Sequence, residues 1–231
     1  GVLASELSHS RRVAAERLSA QTEEAIAELN MGRARFEVAI RHEERADGLR
    51  LRGPDGRETT VAFDETGADR VEFLLAPNAG EALKPLARVA SGGEMARLML
   101  ALKSILSAAD ETPTLVFDEI DVGVGGRSGQ VVGEKLWGLT DRHQVLVITH
   151  LPQIAAFASA HFRITKAEED GRTVSRVRHI TDEERIDELA AMLDGEPVTE
   201  ASRANAREML RRVEGWIAGV QPSALSGVRR A

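Results

Sequence analysis

The hydrophobic pattern changes period several times along the chain, and each change marks an expected element. Residues 3–29 are rich in Ala, Glu, Leu and Arg and contain neither proline nor glycine, a composition that favours helix. Leu7, Ala14 and Gln21 fall seven apart, as do Ala4, Arg11, Leu18 and Ala25. That spacing fits an ordinary amphipathic helix or the stump of a coiled-coil arm. A period of two takes over at Phe36, Val38 and Ile40, the mark of a half-buried strand. Gly53-Pro54-Asp55-Gly56 reads as a turn, residues 59–63 and 71–75 as further strands, and Pro77-Asn78-Ala79-Gly80 as their end.

Helix and strand then alternate. Ser91 with Glu94 forms a capping box before a helix over 91–106, whose apolar face is Met95, Leu98, Met99, Leu102, Ile105 and Leu106. A short apolar strand, 114–117, ends in Asp118 and Glu119. A glycine-rich loop at 123–126 leads to a helix near 128–139, and 144–149 is a second buried strand ending at His150. Strand, helix, strand predicts a right-handed parallel crossover. Both strand ends then reach one edge of the sheet, where ligands of open α/β folds collect. A hairpin follows, 162–166 with 174–180, turning at Asp170-Gly171. Thr181 with Glu184 opens another helix, Gly195 and Pro197 close it, a last helix covers 199–217, and the tail from Gln221 reads as loose.

Composition narrows the classes. Hydrophobic residues make up 42% and charged residues 29%, so a real core is available. The net charge of −7 excludes a strongly basic DNA-binding module, and 3% aromatics without tyrosine argue against a base-stacking surface. With no cysteine, neither disulfides nor thiolate metal sites are available, which fits a reducing compartment. No long apolar run and no charged-then-apolar leader occur, so neither membrane insertion nor secretion is expected. The chain opens on Gly1 rather than Met, a hint of a piece of a longer protein.

Several groups could carry chemistry. Gly92 and Gly93 after Ser91 expose backbone N–H groups at a helix start, where dipole and unpaired donors favour an anion; the same tetrapeptide also serves as a plain cap. An apolar strand delivering Asp118 and Glu119 is how P-loop ATPases place a magnesium-directing aspartate beside a catalytic carboxylate, although acids at a strand end are also a polar exit. His150 could donate to a phosphate or be structural. Residues 123–129 are not a phosphate loop: no Lys-Ser or Lys-Thr follows at Walker A spacing, there or elsewhere. His9, His42, His143, His161 and His179 show no metal-ligand spacing. Arg203, Arg207 and Arg211, four apart, and Arg172, Arg176 and Arg178 read as salt-bridged, solvated faces, with phosphate contact the minority reading.

The order of these motifs resembles the second half of an ABC ATPase head: signature, Walker B, D-loop and switch histidine. Pro77-Asn-Ala-Gly80-Glu, Leu86-Ala-Arg-Val-Ala-Ser-Gly-Gly-Glu94, Phe117-Asp-Glu-Ile-Asp-Val-Gly-Val-Gly-Gly126, Thr149-His-Leu-Pro-Gln-Ile-Ala155 and Met192-Leu-Asp-Gly195 resemble the RecN family of bacterial DNA repair proteins, relatives of the SMC proteins, over roughly 35–213. The resemblance implies an α/β fold, the C-terminal lobe of an ABC-type P-loop ATPase head, with a mixed sheet and flanking helices behind a coiled-coil-like helix. It implies three regions: the end of the arm (1–33), the head lobe (34–218) and a loose tail (219–231).

By the same resemblance the substrate and cofactor are ATP and Mg2+. Asp118 would orient magnesium through water, and Glu119 would polarise the attacking water. His150 would contact the γ-phosphate, and Asp121, in the D-loop, would lie at the subunit junction. Ser91, Gly92, Gly93 and Glu94 would serve the nucleotide of an opposite head. Implied partners are the N-terminal Walker A half of the same protein, a second head in a homodimer, DNA and recombination proteins, in the cytoplasm on the nucleoid and with no membrane. Without Walker A the chain alone is expected to be inactive. A transporter-type nucleotide-binding half and a non-catalytic, nucleotide-sensing dimerisation module remain open alternatives.

Overall fold

In the computed structural model the described residues are 1–52, 56–89, 91–169 and 171–220. The turn expected at Gly53-Pro54-Asp55, Ala90 of the signature stretch, Asp170 of the hairpin turn and the tail from Gln221 lie outside them. The chain divides into two compact units, 1–101 and 102–231, with the boundary inside a helix.

In the first unit the proline-free leader forms α1 (Val2–Ile26), continued by one π-helical turn, Ala27–Met31, in which Asn30 takes a left-handed conformation. Its buried stripe is Ser8, Ala15, Thr22 and Ile26. The seven-residue spacing is there, but one position along from the seam through Leu7, Ala14 and Gln21. Leu7 is exposed at 41%. The helix thus turns small and polar residues to its own unit and keeps part of the heptad seam in solvent.

The alternating segments form β1 (Arg35–Arg41) and β4 (Arg70–Ala76), paired antiparallel, with a short β5 (Lys84–Pro85) beyond β4. β2 (Glu44–Arg52) and β3 (Glu58–Val61) make a separate antiparallel hairpin. β2 carries too many charges for its pattern to be read as a strand; only Leu49 and Leu51 enter the cluster with Val61 and Ala68.

Side chains of α1 engage β1 directly: Ser19 Oγ accepts the Val38 N–H at 3.0 Å and Glu23 Oε1 accepts the Phe36 N–H at 3.0 Å. Nearer the amino end, buried Asp69 takes Ser8 Oγ at 2.6 Å and Arg11 Nη1 at 2.8 Å, while His42 Nε2 lies 3.0 Å from the same carboxylate. Burial opposes the charge on Asp69, but the donors Ser8, Arg11 and His42 outweigh it and hold the pKa below the ordinary value.

α2 (Gly92–Leu106) starts in the first unit and ends in the second. Leu98, Leu100, Ala101 and Leu102 are its buried apolar side chains, with Arg97 buried beside them, whereas Met99 and Leu106 are exposed. The inward face is therefore rotated from the one the apolar spacing suggests.

In the second unit β6 (Thr114–Phe117) and β7 (Gln144–Val147) pair in parallel, as the strand–helix–strand order predicts. Between them runs α3 (Gly126–Gly138), and after β7 comes the one-turn α4 (Pro152–Ala155), which the sequence pattern had not marked. A Cβ on Gly126, Gly129 or Gly133 would stand 3.0, 3.2 or 2.4 Å from Gln153, Leu151 or Phe157 respectively, so these glycines let α3 approach α4 closely. β8 (His161–Glu169) and β9 (Arg172–Ile180) form the expected hairpin.

Thr181 precedes α5 (Asp182–Asp194), but its side chain makes no cap hydrogen bond; only its carbonyl meets the Glu184 N–H, while the Glu184 carboxylate binds Arg178 at 2.6 and 2.8 Å. The ion pair wins over the expected capping box. α6 (Glu200–Gly219) is capped by Thr199, whose hydroxyl accepts from Ser202 N. Helices α5 and α6 share a core of Ala155, Leu189, Ala190 and Ala206, and Phe157 packs edge-on against Trp216.

The architecture is mixed α/β with a long leading helix. Its strands are divided, among the described residues, into four small sheets rather than joined in one mixed sheet.

Candidate functional site

The carboxyl ends of β6 and β7 are level: Phe117 pairs with Val147, and the Ile148 N–H donates to the Phe117 carbonyl at 2.9 Å. Just past that point the chain bends away at Asp118-Glu119. Asp118 Oδ1 accepts the Glu119 N–H at 2.9 Å, and Glu119 adopts φ 58°, the left-handed region. A non-glycine residue is held there only when its surroundings over-determine it. Both carboxylates are exposed. The turn continues with Val122 N–H to the Glu119 carbonyl and Val124 N–H to the Asp121 carbonyl.

Asp121 behaves differently from its two acidic neighbours. It is buried, and its Oδ2 accepts from Thr149 Oγ1 at 2.5 Å, the His150 backbone N–H at 2.7 Å and His150 Nδ1 at 2.9 Å. Thr149 Oγ1 in turn accepts the Leu151 N–H at 3.0 Å, and the Leu151 carbonyl opens α4 by accepting from Ile154 and Ala155. The His150 side chain is 72% exposed, with its Nδ1 edge against Asp121 and the ring otherwise open to solvent.

The structure thus brings Asp118, Glu119, Asp121 and His150 to one sheet edge. Thr149 belongs to this group as well. Sequence reasoning quoted it without a role; the signal was a hydroxyl residue two places before the N–H of Leu151 and the helix-opening Pro152.

Ser91 stands at the start of α2, in the first unit. The Glu94 N–H points to Ser91 Oγ at 3.4 Å, one half of the expected capping box, and the Met95 N–H bonds the Ser91 carbonyl at 3.1 Å. A hydroxyl that accepts from the backbone keeps its proton for an outside acceptor. Gly92 is exposed and Gly93 buried. One turn on, Arg97 is buried; desolvation lowers its pKa and the nearby Glu94 charge partly restores it.

In the arginine rows, Arg203 pairs with Asp187 and Glu200, Arg207 with Glu183, Arg211 with Glu208 and Arg178 with Glu184. Of the remaining histidines, His143 is buried with Nδ1 at 2.6 Å from the Thr112 carbonyl. Among the described residues no group of three or more His, Cys, Asp or Glu side chains could hold a metal ion. No described helix is long and apolar enough to cross a membrane.

Known proteins with this sequence pattern are DNA repair proteins RecN. The chain is 42% identical over 210 residues to that of Streptomyces coelicolor, covering 91% of this chain and 36% of the relative. It is 37% identical over 213 residues to that of Bacillus subtilis, covering 92% and 37%, and 39% identical over 219 residues to that of Mycobacterium tuberculosis, covering 93% and 37%. Over this stretch the chain is similar in sequence to RecN proteins. It spans about a third of the length of the curated RecN relatives it matches. No protein-family model matches the chain. Similar solved structures include the Smc head domain with a coiled coil and joint from Pyrococcus yayanosii, at 22% identity and TM-score 0.47 over 75% of this chain and 28% of that one. The Smc head from Pyrococcus furiosus, bound to the C-terminal domain of ScpA, matches at 22% and 0.45 over 78% and 38%. The likeness to RecN lies in the sequence.

Proposed function

We propose that the chain is the carboxyl-terminal lobe of an SMC-like ATPase head that hydrolyses ATP between two paired heads during DNA double-strand break repair and recombination. The observation that carries this reading is the joined edge of β6 and β7, where Asp118, Glu119 and His150 meet with two carboxylates and an imidazole open to solvent. Residues 1–33 are then the end of the coiled-coil arm, 34–218 the head lobe and 219–231 a tail. The partners are the Walker A-bearing part of the same protein, a second head, DNA and recombination proteins, in the cytoplasm on the nucleoid.

An uncovered sheet face supports the need for a further segment. Val116, Leu146 and Ile148 are 65%, 47% and 50% exposed on one side of β6 and β7. Parallel sheets are stable with both faces covered, and an isolated two-stranded pair is marginal. An apolar face of this kind fits the missing Walker A segment.

The donor set fits magnesium nucleotide. Magnesium keeps most of its water and needs one or two carboxylates besides phosphate oxygens, which Asp118 offers without an all-protein cage. Bound ATP would supply the anhydride that is cleaved, and the metal would neutralise its phosphate charge. On the protein's side, Asp118 would hold the cation, Glu119 would polarise the attacking water, and His150 would contact the terminal phosphate. Ser91, Gly92, Gly93 and Glu94, at a helix amino end suited to an anion, serve the nucleotide of the opposite head. The loop that begins at Asp121 lies at the junction between heads.

The test is steady-state ATP hydrolysis and light scattering on the full-length protein. Glu119→Gln is expected to lower kcat at least about 100-fold, the scale of losing one preorganised catalytic group, and to accumulate an ATP-bound dimer. The 231-residue chain by itself is expected to show no turnover. Glu119→Gln turnover within a factor of about two of the parent, or hydrolysis by the isolated chain, would overturn the proposal.

A further inference from the structure

Asp121 has no open face with which to meet a neighbouring head. Its side chain is 4% exposed, and each bond described for it runs to Thr149 or His150. We propose that Asp121 is a positioning residue for His150: it fixes which ring nitrogen carries the proton and which edge of the imidazole faces the nucleotide. The inference rests on the reading of His150 as a nucleotide contact and deepens it.

The geometry sets the tautomer. A carboxylate only accepts hydrogen bonds, so the Nδ1 atom 2.9 Å from Asp121 Oδ2 must be the protonated one. A neutral histidine otherwise prefers the proton on Nε2, so the contact reverses the usual arrangement. Nε2 is thereby turned to the open side, where it accepts from water or, with a second proton, donates to a phosphate oxygen.

Two further bonds to the same oxygen stop the ring from swinging. The His150 N–H at 2.7 Å fixes the backbone, and Thr149 Oγ1 at 2.5 Å fixes the preceding residue. Thr149 passes the constraint to the Leu151 N–H and so to the first turn of α4, which the glycines of α3 hold at close range. The strand-end acids and the histidine loop are thus tied through one buried carboxylate.

Histidine-selective 15N NMR of the full-length protein at pH 8.5 reads the tautomer, with His150→Gln used to assign the signal. The expected wild-type form is Nδ1–H, and Asp121→Ala should move it to Nε2–H. A wild-type Nε2–H ring would overturn the proposal without any need for the variant to fold, and it would do so whether or not the protein hydrolyses ATP.

Turnover gives the second readout. Asp121→Ala should lower kcat about 10- to 100-fold, the scale seen when a residue that orients a functional histidine is lost, with KM little changed. In a His150→Ala background the same change should cost less than about twofold, because the residue it positions has gone. Full multiplication of the two effects would assign Asp121 a role independent of His150 and sink the inference. Failure of the ATPase reading would instead leave the Nδ1–H signal intact and abolish only the kinetic effects.

Discussion

Replacing Gly133 by alanine adds one methyl group at the tightest point between α3 and α4. The new Cβ would stand 2.4 Å from Phe157 Cδ2, 2.8 Å from Cε2 and 3.2 Å from the Gln153 carbonyl oxygen. Phe157 cannot simply turn aside, because it is buried and its ring meets Trp216 edge-on at 5.5 Å, which in turn meets Trp137 at 5.6 Å. Overpacking of this kind costs about 1–3 kcal/mol, and the better helix propensity of alanine returns up to about 1 kcal/mol. The expected net loss is therefore on the order of 1–2 kcal/mol. For a chain of this size that lowers the melting temperature by roughly 2–8 °C.

Gly215 provides the control within the same chain. It lies in α6, a Cβ there would have nothing within 4 Å, and the gain in propensity should make Gly215→Ala stabilising by about 0.5–1 kcal/mol. Urea midpoints and thermal melts of both variants supply the comparison. Equal shifts, or a Gly133→Ala protein as stable as its parent, would refute the packing argument and the account of how α4 is held behind His150.

Two other perturbations test the supporting structure. The carboxyl group of Asp69 has a folded-state pKa below its ordinary 3.8, so its stabilisation is present above that value and is lost as pH falls through the lowered one. Urea midpoints recorded from pH 6 to 2.5 should fall at the acid end, and Asp69→Asn should flatten that fall while costing on the order of 2 kcal/mol at neutral pH; an unchanged acid slope would contradict the assignment. Arg207→Ala, which removes an exposed pair with Glu183, should change stability by less than about 1 kcal/mol. A tenfold loss of DNA affinity in the same variant would restore the phosphate-contact reading of that helix face.

The second unit was the more legible from sequence. Residues 114–117 and 144–147 are short apolar runs bounded by turn residues, and their parallel pairing followed from the helix between them. β2 escaped notice because its charged residues mask the alternation that Leu49 and Leu51 retain. The inward face of α2 was misplaced because spacing ranks Met99 and Leu106 with the core, whereas burial follows Leu98, Leu100, Ala101 and Leu102. Thr181 has the residue type of a cap, but Arg178 draws Glu184 away from the reciprocal bond. In the site itself, residue type and order picked out Asp118, Glu119, Asp121 and His150. They could not reveal that three donors converge on one oxygen of Asp121, since that depends on tertiary placement of two loops 28 residues apart.

The seating of α1 also determines how the helix responds to load. Glu23 meets Phe36, Ser19 meets Val38, and Ser8 with Arg11 meets Asp69, so contacts run in opposite directions along helix and strand. Between Ser8 and Glu23 the anchors span about 22 Å at 1.5 Å per residue. A pull along the helix axis loads all of them together in shear, whereas a sideways pull at the amino end peels them one after another, starting with Asp69. The two backbone N–H groups that α1 covers on β1 would otherwise be an open strand edge, a template for pairing with other chains. Peeling would therefore release the helix and unmask an adhesive edge in the same movement.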